Sequence, residues 1–498
     1  MKVLFVYPNL HGMNMLPTGI ALLSAILKRQ GHEVSLFDST DWEIPGEQDF
    51  DSDKSKELLL TARPYDDSKL QAMRQAGDVF DAFNRAIESF KPGLIAVSLC
   101  EDLFPVARLL LRAVRTSRIP TIMGGVFPSF APEVCLREPT VDMVCIGEGE
   151  NVLAEVCRRM DAGESLQGIP GLWIKTPDAV ERNSLPPPVN MDVNPAPDLT
   201  IFPESRFLRP MQGRLWRMLP VETHRGCPYN CAYCNSPAQR KLYREQTGKA
   251  HFRKKSFEAI HAELVFLRDR WKAEAFYFWA DTFLAYTDRE FEQFLEIYQD
   301  IRLPFWCQSR PETVKKDRIA RLMELGLFRM SFGVEHGNEA FRRDVLRRKV
   351  SNKTMLEAFD IVNQLGLNFS VNNIIGFPGE TRELAMDTVR FNRLFHCDSA
   401  NAYAFSPFHG SPLRTLAERL NYCDKDLIAR SVTKPTMLNM PQFPPEQIEG
   451  IRRCFTLYVK MPESRWPEIR RAEAATEEGH ALWAQLRQEC LDNYCAFD

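Results

Sequence analysis

The chain reads as an α/β protein: a doubly wound parallel-sheet domain, then a (β/α)6 partial barrel, then a helical C-terminal region. Three observations predict this. Short apolar runs alternate with helix-period stretches over residues 1–184 and again over 216–412. A proline-dense segment, 185–215, separates the two series, and beyond 413 the strand signal stops. At 498 residues the chain is also too long for one ordinary core.

The elements follow in order. Lys2–Tyr7 is a short β run, and Thr18–Gln30 has helical apolar spacing that ends at Gly31, where a C-cap belongs. His32–Phe37, Leu94–Leu99, Pro120–Met123 and Val141–Ile146 are further short strands. Strands this short, apolar on both faces and separated by helices, imply a parallel sheet with right-handed crossovers. Residues 40–77, rich in Asp, Ser and Lys, read as a surface insertion ahead of a helix over 78–91. Pro186, Pro187, Pro188, Pro195, Pro197, Pro203 and Pro210 then predict an extended linker rather than a core element.

The second series begins at Leu219–Thr223. Its later strands are Ala275–Trp279, Pro304–Gln308, Phe328–Gly333, Asn368–Ile375 and Ser399–Phe405, with helices near 257–272, 288–300, 315–325, 352–365 and 380–395. Parallel strands in this rhythm close most economically as a partial barrel. The region 413–498 reads as helical and polar, without a motif.

Bulk composition excludes several classes. A net charge of −3 gives no reason for a nucleic-acid partner, and no apolar run approaches the roughly 20 residues a membrane span needs. The N-terminal apolar run stops too soon for a signal peptide and lacks a cleavage site, so a cytoplasmic, monomeric protein is expected. Thirteen scattered cysteines argue against a disulfide framework. Cys100, Cys135, Cys145 and Cys157 lie in apolar contexts and read as small buried hydrophobes.

One trio stands apart. Cys227, Cys231 and Cys234 have the spacing C-x3-C-x2-C and follow directly on the first strand of the second series. They therefore lie at the carboxyl end of a parallel sheet, where α/β folds place their sites. Three thiolates so close together suit a soft-metal centre. A structural zinc site would need a fourth ligand, for which His224 is the candidate; three unligated core cysteines fit poorly with the loop residues Gly226, Pro228 and Asn230.

The loop resembles the cluster motif of the radical S-adenosylmethionine superfamily, in the form with an aromatic residue, here Tyr233, before the last cysteine. The resemblance implies a [4Fe–4S] cluster on Cys227, Cys231 and Cys234, with an open iron that chelates S-adenosylmethionine and reductive cleavage to a 5′-deoxyadenosyl radical. It also implies S-adenosylmethionine contacts at Tyr233, at Asp281 after the second strand (methionine amine), at Arg310 after the third (carboxylate or ribose) and at Glu335 ending the fourth (ribose). Gly376 and Pro378, in the turn after the fifth strand, would accept adenosine.

In the first domain, the segment Met123–Pro128 and the run Asp142–Glu150 resemble the cobalamin-binding module in front of many such enzymes. That implies cobalamin contacts at Ser98, Leu99, Gly124, Gly125, Phe127, Pro128, Gly147 and Gly149, with glycines permitting close approach of the corrin and its nucleotide tail. The segment Ser98–Asp102 would face the lower side of the corrin. Asn9-Leu10-His11 matches a mutase cobalt-ligand motif only in part, and a solvated loop histidine is the default for His11. A flavodoxin-like domain without cofactor is the plain alternative.

Together the resemblances cover about residues 1–410 and imply cobalamin-dependent methyl transfer to an unactivated carbon, less often phosphorus, of a small molecule. A flavodoxin or ferredoxin would supply electrons. Rival outcomes are radical cyclisation, rearrangement or carbon–carbon coupling, a methylthiotransferase, and a non-catalytic iron–sulfur sensor or scaffold. The basic runs Arg240–Arg244 and Arg253–Lys255 read as solvated surface, with an anionic substrate or reducing partner as the alternative.

Overall fold

The computed structural model describes residues 1–12, 15–47, 63–115 and 118–495. Residues 48–62 of the expected insertion at 40–77 lie outside the described residues.

The short apolar runs of the first domain are buried on both faces, as parallel strands between helices must be. β1 (Lys2–Tyr7), β2 (Glu33–Asp38), β3 (Leu94–Ser98), β4 (Thr121–Gly124), β5 (Met143–Cys145), β6 (Leu172–Lys175) and β7 (Val180–Arg182) form one sheet in the order β2-β1-β3-β4-β5-β6-β7. In β1, Val3 and Phe5 pack into one core while Leu4 and Val6 pack into the other. β1 to β5 pair parallel, as the sequence predicts, but β6 and β7 add an antiparallel hairpin at the edge. That hairpin is half-exposed, so it lacks the two-sided apolar pattern that marks the other strands.

The second domain forms another seven-stranded sheet, with β8 (Leu208–Met211) antiparallel at its edge and β9 (Arg214–Glu222) beside it. A two-stranded ribbon, β10 (His224–Arg225) and β11 (Arg253–Lys254), rises from the end of β9. The barrel strands follow: β12 (Ala275–Trp279), β13 (Phe305–Ser309), β14 (Leu327–Glu335), β15 (Asn368–Ile375) and β16 (Ser399–Ala404). The order is β16-β15-β14-β13-β12-β9-β8, with the six strands β9 and β12 to β16 parallel. Behind β12, Phe278, Phe283, Phe294, Tyr298 and Phe305 pack ring against ring at 4.8–6.4 Å. Each such pair contributes about 1 kcal/mol beyond area burial, which makes this wall rigid.

The expected linker is a packed element. Leu185, Val189, Met191, Leu199, Phe202 and Phe207 are all buried, because apolar residues alternate with the prolines. Arg206 is fully buried and pairs with Asp38 at 3.2 Å and with the Thr40 hydroxyl at 3.1 Å, tying this segment to the end of β2. Pro210 lies within β8, an edge strand where a missing donor costs no ladder bond. The C-terminal region is helical at Pro412–Arg419, Pro445–Lys460, Trp466–Ala472 and Glu477–Tyr494, but 420–444 runs without a helix. Among the described residues no helix is long and apolar enough to cross a membrane.

The first domain lies across the carboxyl end of the barrel and is tied to it at both sides. On the β9 side, Arg225 bonds Glu150 at 2.7 Å and pairs with Glu148 at 3.2 Å. On the β16 side, Glu101, buried after β3, accepts from the backbone and Nδ1 of His409, both at 2.7 Å, from Ala429 N at 2.8 Å and from Arg414 at 3.5 Å. Removing a carboxylate from such a buried set leaves its donors unpaired. Glu101→Ala is expected to lower unfolding free energy by about 3 kcal/mol and to open 407–429 to proteolysis, as read by urea titration and limited digestion.

Candidate active site

The cysteine loop is built from the end of β9 outward. β9 delivers Thr223 and His224, and Gly226 turns the chain with φ +82°. A Cβ there would stand 2.7 Å from His251 Nδ1, so only glycine fits. Cys227, Cys231 and Cys234 follow, and the helix Ser236–Thr247 begins at once. Two of the sulfurs accept hydrogen bonds, Cys231 from Arg310 Nη1 at 3.1 Å and Cys234 from the Ser236 amide at 3.4 Å, and Cys227 lies 3.8 Å from the Thr282 hydroxyl. Burial raises Cys227 and pushes Cys234 up to about 12.

This donor set fits an iron–sulfur cluster better than a single zinc. Among the described residues, no three His, Cys, Asp or Glu side chains converge on one ion. His224 is also committed elsewhere: Nε2 donates to the Thr282 carbonyl at 3.0 Å and Nδ1 accepts from the Thr223 hydroxyl at 3.1 Å. A closed tetrahedral site has no fourth ligand here.

The residues expected to contact S-adenosylmethionine surround the loop at successive strand ends. Tyr233 is packed 5.9 Å from the Phe377 ring, its hydroxyl against Arg348 and Glu335. Asp281 has a single long bond, from Ser236 Oγ at 3.4 Å, and burial raises its carboxyl. Such a carboxylate is suited to an ammonium group. Glu335 ends β14 at φ +69°, a left-handed conformation uncommon outside glycine, where the ladder to β15 slips. Its carboxylate folds over Gly333, where a Cβ would collide with it.

Arg310 is engaged differently from the expectation. It holds Cys231, bonds Glu312 at 2.6 Å through Nε, and covers the Tyr229 ring at 3.7 Å. Gly376 and Pro378 are buried, with Ile448 of the helix Pro445–Lys460 against Gly376. Glu380 holds that turn: it accepts from Gly376 N at 2.6 Å and Phe377 N at 2.8 Å, and from His336 Nε2 at 3.1 Å. The strand-end pattern did not point to Arg348, which sits 3.8 Å from Glu335 and 3.4 Å from the Tyr233 hydroxyl. It follows a charged run, Arg342-Arg343 and Arg347, that looks like surface in the sequence.

In the first domain a cleft of about 280 Å³ opens at the carboxyl ends of β3, β4 and β5. Ser98, Gly124, Gly125, Gly147 and Gly149 line it, and so do Glu222, Arg225 and Gln239 of the second domain. The glycines divide into two roles. At Gly124 the nearest atom to an added Cβ is 3.6 Å away, so a side chain there would project into the cleft. Gly125 and Gly147 are demanded by the protein itself: a Cβ would strike the Leu99 carbonyl at one and the Tyr243 hydroxyl at the other. Leu99, Phe127 and Pro128 do not line the cleft; all three are buried, with Phe127 ringed by Phe104 and His409. A backbone-walled slot between two domains fits the nucleotide tail of cobalamin.

Cys100 corrects another expectation. It is accessible, yet desolvation pushes its thiol up to about 12. Burial likewise drives Asp102 up to about 6 and raises Asp281. Trp279, 42% exposed at the end of β12, is a further apolar surface at that level. His11 is half-buried near Asp41, whose carboxyl is raised by burial. The two basic runs differ: Lys241 and Arg244 are exposed on either side of the buried Tyr243, whereas Arg253, Lys254 and Lys255 pair with Glu148, Glu290 and Glu263.

The chain is similar to several known proteins. Residues 221–391 match the model of the radical SAM superfamily, and residues 67–157 match the B12 binding domain. An uncharacterized methyltransferase of Pyrococcus horikoshii is 28% identical over 77% of this chain and 82% of its own length. The anaerobic magnesium-protoporphyrin IX monomethyl ester cyclase of Rubrivivax gelatinosus is 22% identical, covering 91% of this chain and 77% of the cyclase. In fold, the chain is similar to the cobalamin-dependent S-adenosylmethionine radical enzyme OxsB solved with aqua-cobalamin and S-adenosylmethionine. There the TM-score is 0.64 at 16% identity, over 99% of this chain and 71% of OxsB.

The buried histidines set a pH dependence. Burial drives both His224 and His251 from the ordinary 6.5 down to about 4. Below 6.5 the unfolded chain takes up protons that the folded chain refuses until about 4, so stability is undiminished above that window and falls as pH drops through it. Urea midpoints should decline from pH 7.5 to pH 5, and less so in His251→Phe, which keeps a ring against Tyr243.

Proposed function

Because the chain belongs to the radical S-adenosylmethionine superfamily and carries a B12-binding domain, we propose that it cleaves S-adenosylmethionine reductively and methylates an unactivated carbon, less often phosphorus, of a small molecule. The observation that carries this reading is the cleft between the domains. Its glycine wall and Arg225, two residues before Cys227, belong to one surface at the carboxyl ends of both sheets.

Cys227, Cys231 and Cys234 would hold a [4Fe–4S] cluster, and the slot at Gly124, Gly125, Gly147 and Gly149 would hold the tail of cobalamin, with Ser98 at its rim. When bound, the cluster supplies the electron that splits S-adenosylmethionine, and cobalamin supplies a methyl group that a substrate radical can capture. The chain supplies orientation. Asp281 is placed for the methionine ammonium, Glu335 for the ribose hydroxyls, Tyr233 packs between them, and the Gly376–Pro378 turn closes the adenosine end. Arg310 holds the loop through Cys231 and Tyr229, which fixes the trio against the barrel wall. Trp279, exposed at the end of β12, would give substrate an apolar face.

A flavodoxin or ferredoxin as electron source, the cytoplasm as compartment and a monomeric state complete the proposal. The cyclase similarity favours one second reading, a radical cyclisation or rearrangement without methyl transfer.

Nucleoside products separate the readings. Anaerobic, dithionite-reduced protein reconstituted with iron, sulfide and hydroxocobalamin should form both 5′-deoxyadenosine and S-adenosylhomocysteine from S-adenosylmethionine. Cys231→Ala should form no 5′-deoxyadenosine. Only 5′-deoxyadenosine from the wild type would favour the second reading, and full iron loading with neither product would make the protein a non-catalytic iron–sulfur carrier.

A further inference from the structure

The cleft wall and the cysteine loop share one guanidinium. Arg225 lies in β10, two residues before Cys227, and bonds Glu222 twice, at 3.0 and 2.9 Å. Its third nitrogen reaches across the domain boundary to Glu150 at 2.7 Å and Glu148 at 3.2 Å. Glu148 and Glu150 flank Gly149 and, with Gly147, form the cleft wall. Arg253, the register partner of Arg225 in the β10–β11 ribbon, bonds Glu148 as well at 2.5 Å.

We propose that Arg225 is a positioning residue that couples the two cofactor sites, so that filling the cleft with cobalamin orders the cysteine loop and loading the cluster tightens the cleft in return. The inference rests on the reading that cobalamin enters the cleft.

Three features of the site carry it. First, Gly226 joins Arg225 to Cys227 with no room to pivot, because His251 packs against its α-carbon. A displacement of the guanidinium therefore reaches the first cysteine. Second, the charge balance is one-sided. Three carboxylates (Glu148 and Glu150, buried, and Glu222, half-buried) face two guanidiniums, Arg225 and Arg253, with the Lys255–Glu263 pair alongside. Glu150 takes its only side-chain ion pair among the described residues from Arg225, so the cleft wall is held closed by a group that belongs to the cysteine loop. Third, the helix that follows the loop is anchored on the same turn. Tyr243 OH accepts from Glu148 N at 2.9 Å, and Arg240 bonds the Cys227 carbonyl at 2.9 Å. Wall and loop thus move as one body or not at all, and coupling between two ligands of one body is reciprocal.

The test measures binding, not turnover. Hydroxocobalamin affinity is titrated on the full chain, anaerobically, with the cluster reconstituted and after iron chelation, and iron loss to the chelator is timed with and without hydroxocobalamin. In the wild type the cluster should tighten hydroxocobalamin about tenfold, within the usual range of coupling between sites, and hydroxocobalamin should slow iron loss to a similar degree. Arg225→Gln should bind each cofactor with both ratios near unity, and Arg225→Lys should restore part of the coupling. If Arg225→Gln does not fold, Glu150→Gln, which leaves Arg225 in place, should still lower both ratios. Equal ratios in wild type and variants, or no coupling in the wild type, would overturn the inference while leaving cobalamin binding intact. Failure of the wild type to bind hydroxocobalamin at all would overturn it together with the reading on which it rests.

Discussion

Everything functional in this protein depends on two parallel sheets meeting carboxyl end to carboxyl end, and a few buried carboxylates hold them there. Glu101 is gripped by His409, Arg414 and Ala429 on one side of the barrel mouth. Glu148 and Glu150 are gripped by Arg225 and Arg253 on the other. A buried carboxylate is costly unless its partners are in place, so each clasp tolerates one relative placement of the domains. That placement puts a backbone-lined slot beside a thiol-bearing loop.

The same economy governs the loop. No side chain there serves one purpose. Arg310 touches a cysteine, a carboxylate and an aromatic ring. Gly226 permits a turn and also a buried histidine behind it. Glu380 satisfies two amides and a histidine, joining the ends of β14 and β15 beside the helix Pro445–Lys460. The strained Glu335 is paid for by this surrounding rigidity, since a left-handed non-glycine persists only where its neighbours fix it. Polar groups at strand ends therefore keep their positions.

Much of this was legible in the primary structure. The strands of both sheets lie within a few residues of where apolar runs place them, because buried parallel strands leave an unbroken apolar signature. The cysteine trio and the turns at Asp281, Glu335 and Gly376 could be read because motif spacing survives in one dimension. Other features could not. The β6–β7 hairpin is half-exposed and has no such signature. The proline segment hides buried apolar residues among its breakers. Leu99, Phe127 and Pro128 follow strands just as Ser98 and Gly124 do, and nothing local says which residue of a turn faces a cleft and which faces the core.

The sequence by itself determined the kinds of chemistry available: three close thiols at a strand end, glycines after β4 and β5, and carboxylates at successive turns. Only the tertiary structure decided which of these groups face one another. Arg225 and Glu150 are 75 residues apart in the chain, and Glu101 and Arg414 are 313 apart. A charge pattern in one dimension does not say whether Arg253 and Lys255 meet water or carboxylates. That choice is made when two sheets dock and desolvate the same few groups, because the energy of a buried charge is set by its neighbours in space and not by its neighbours in the chain.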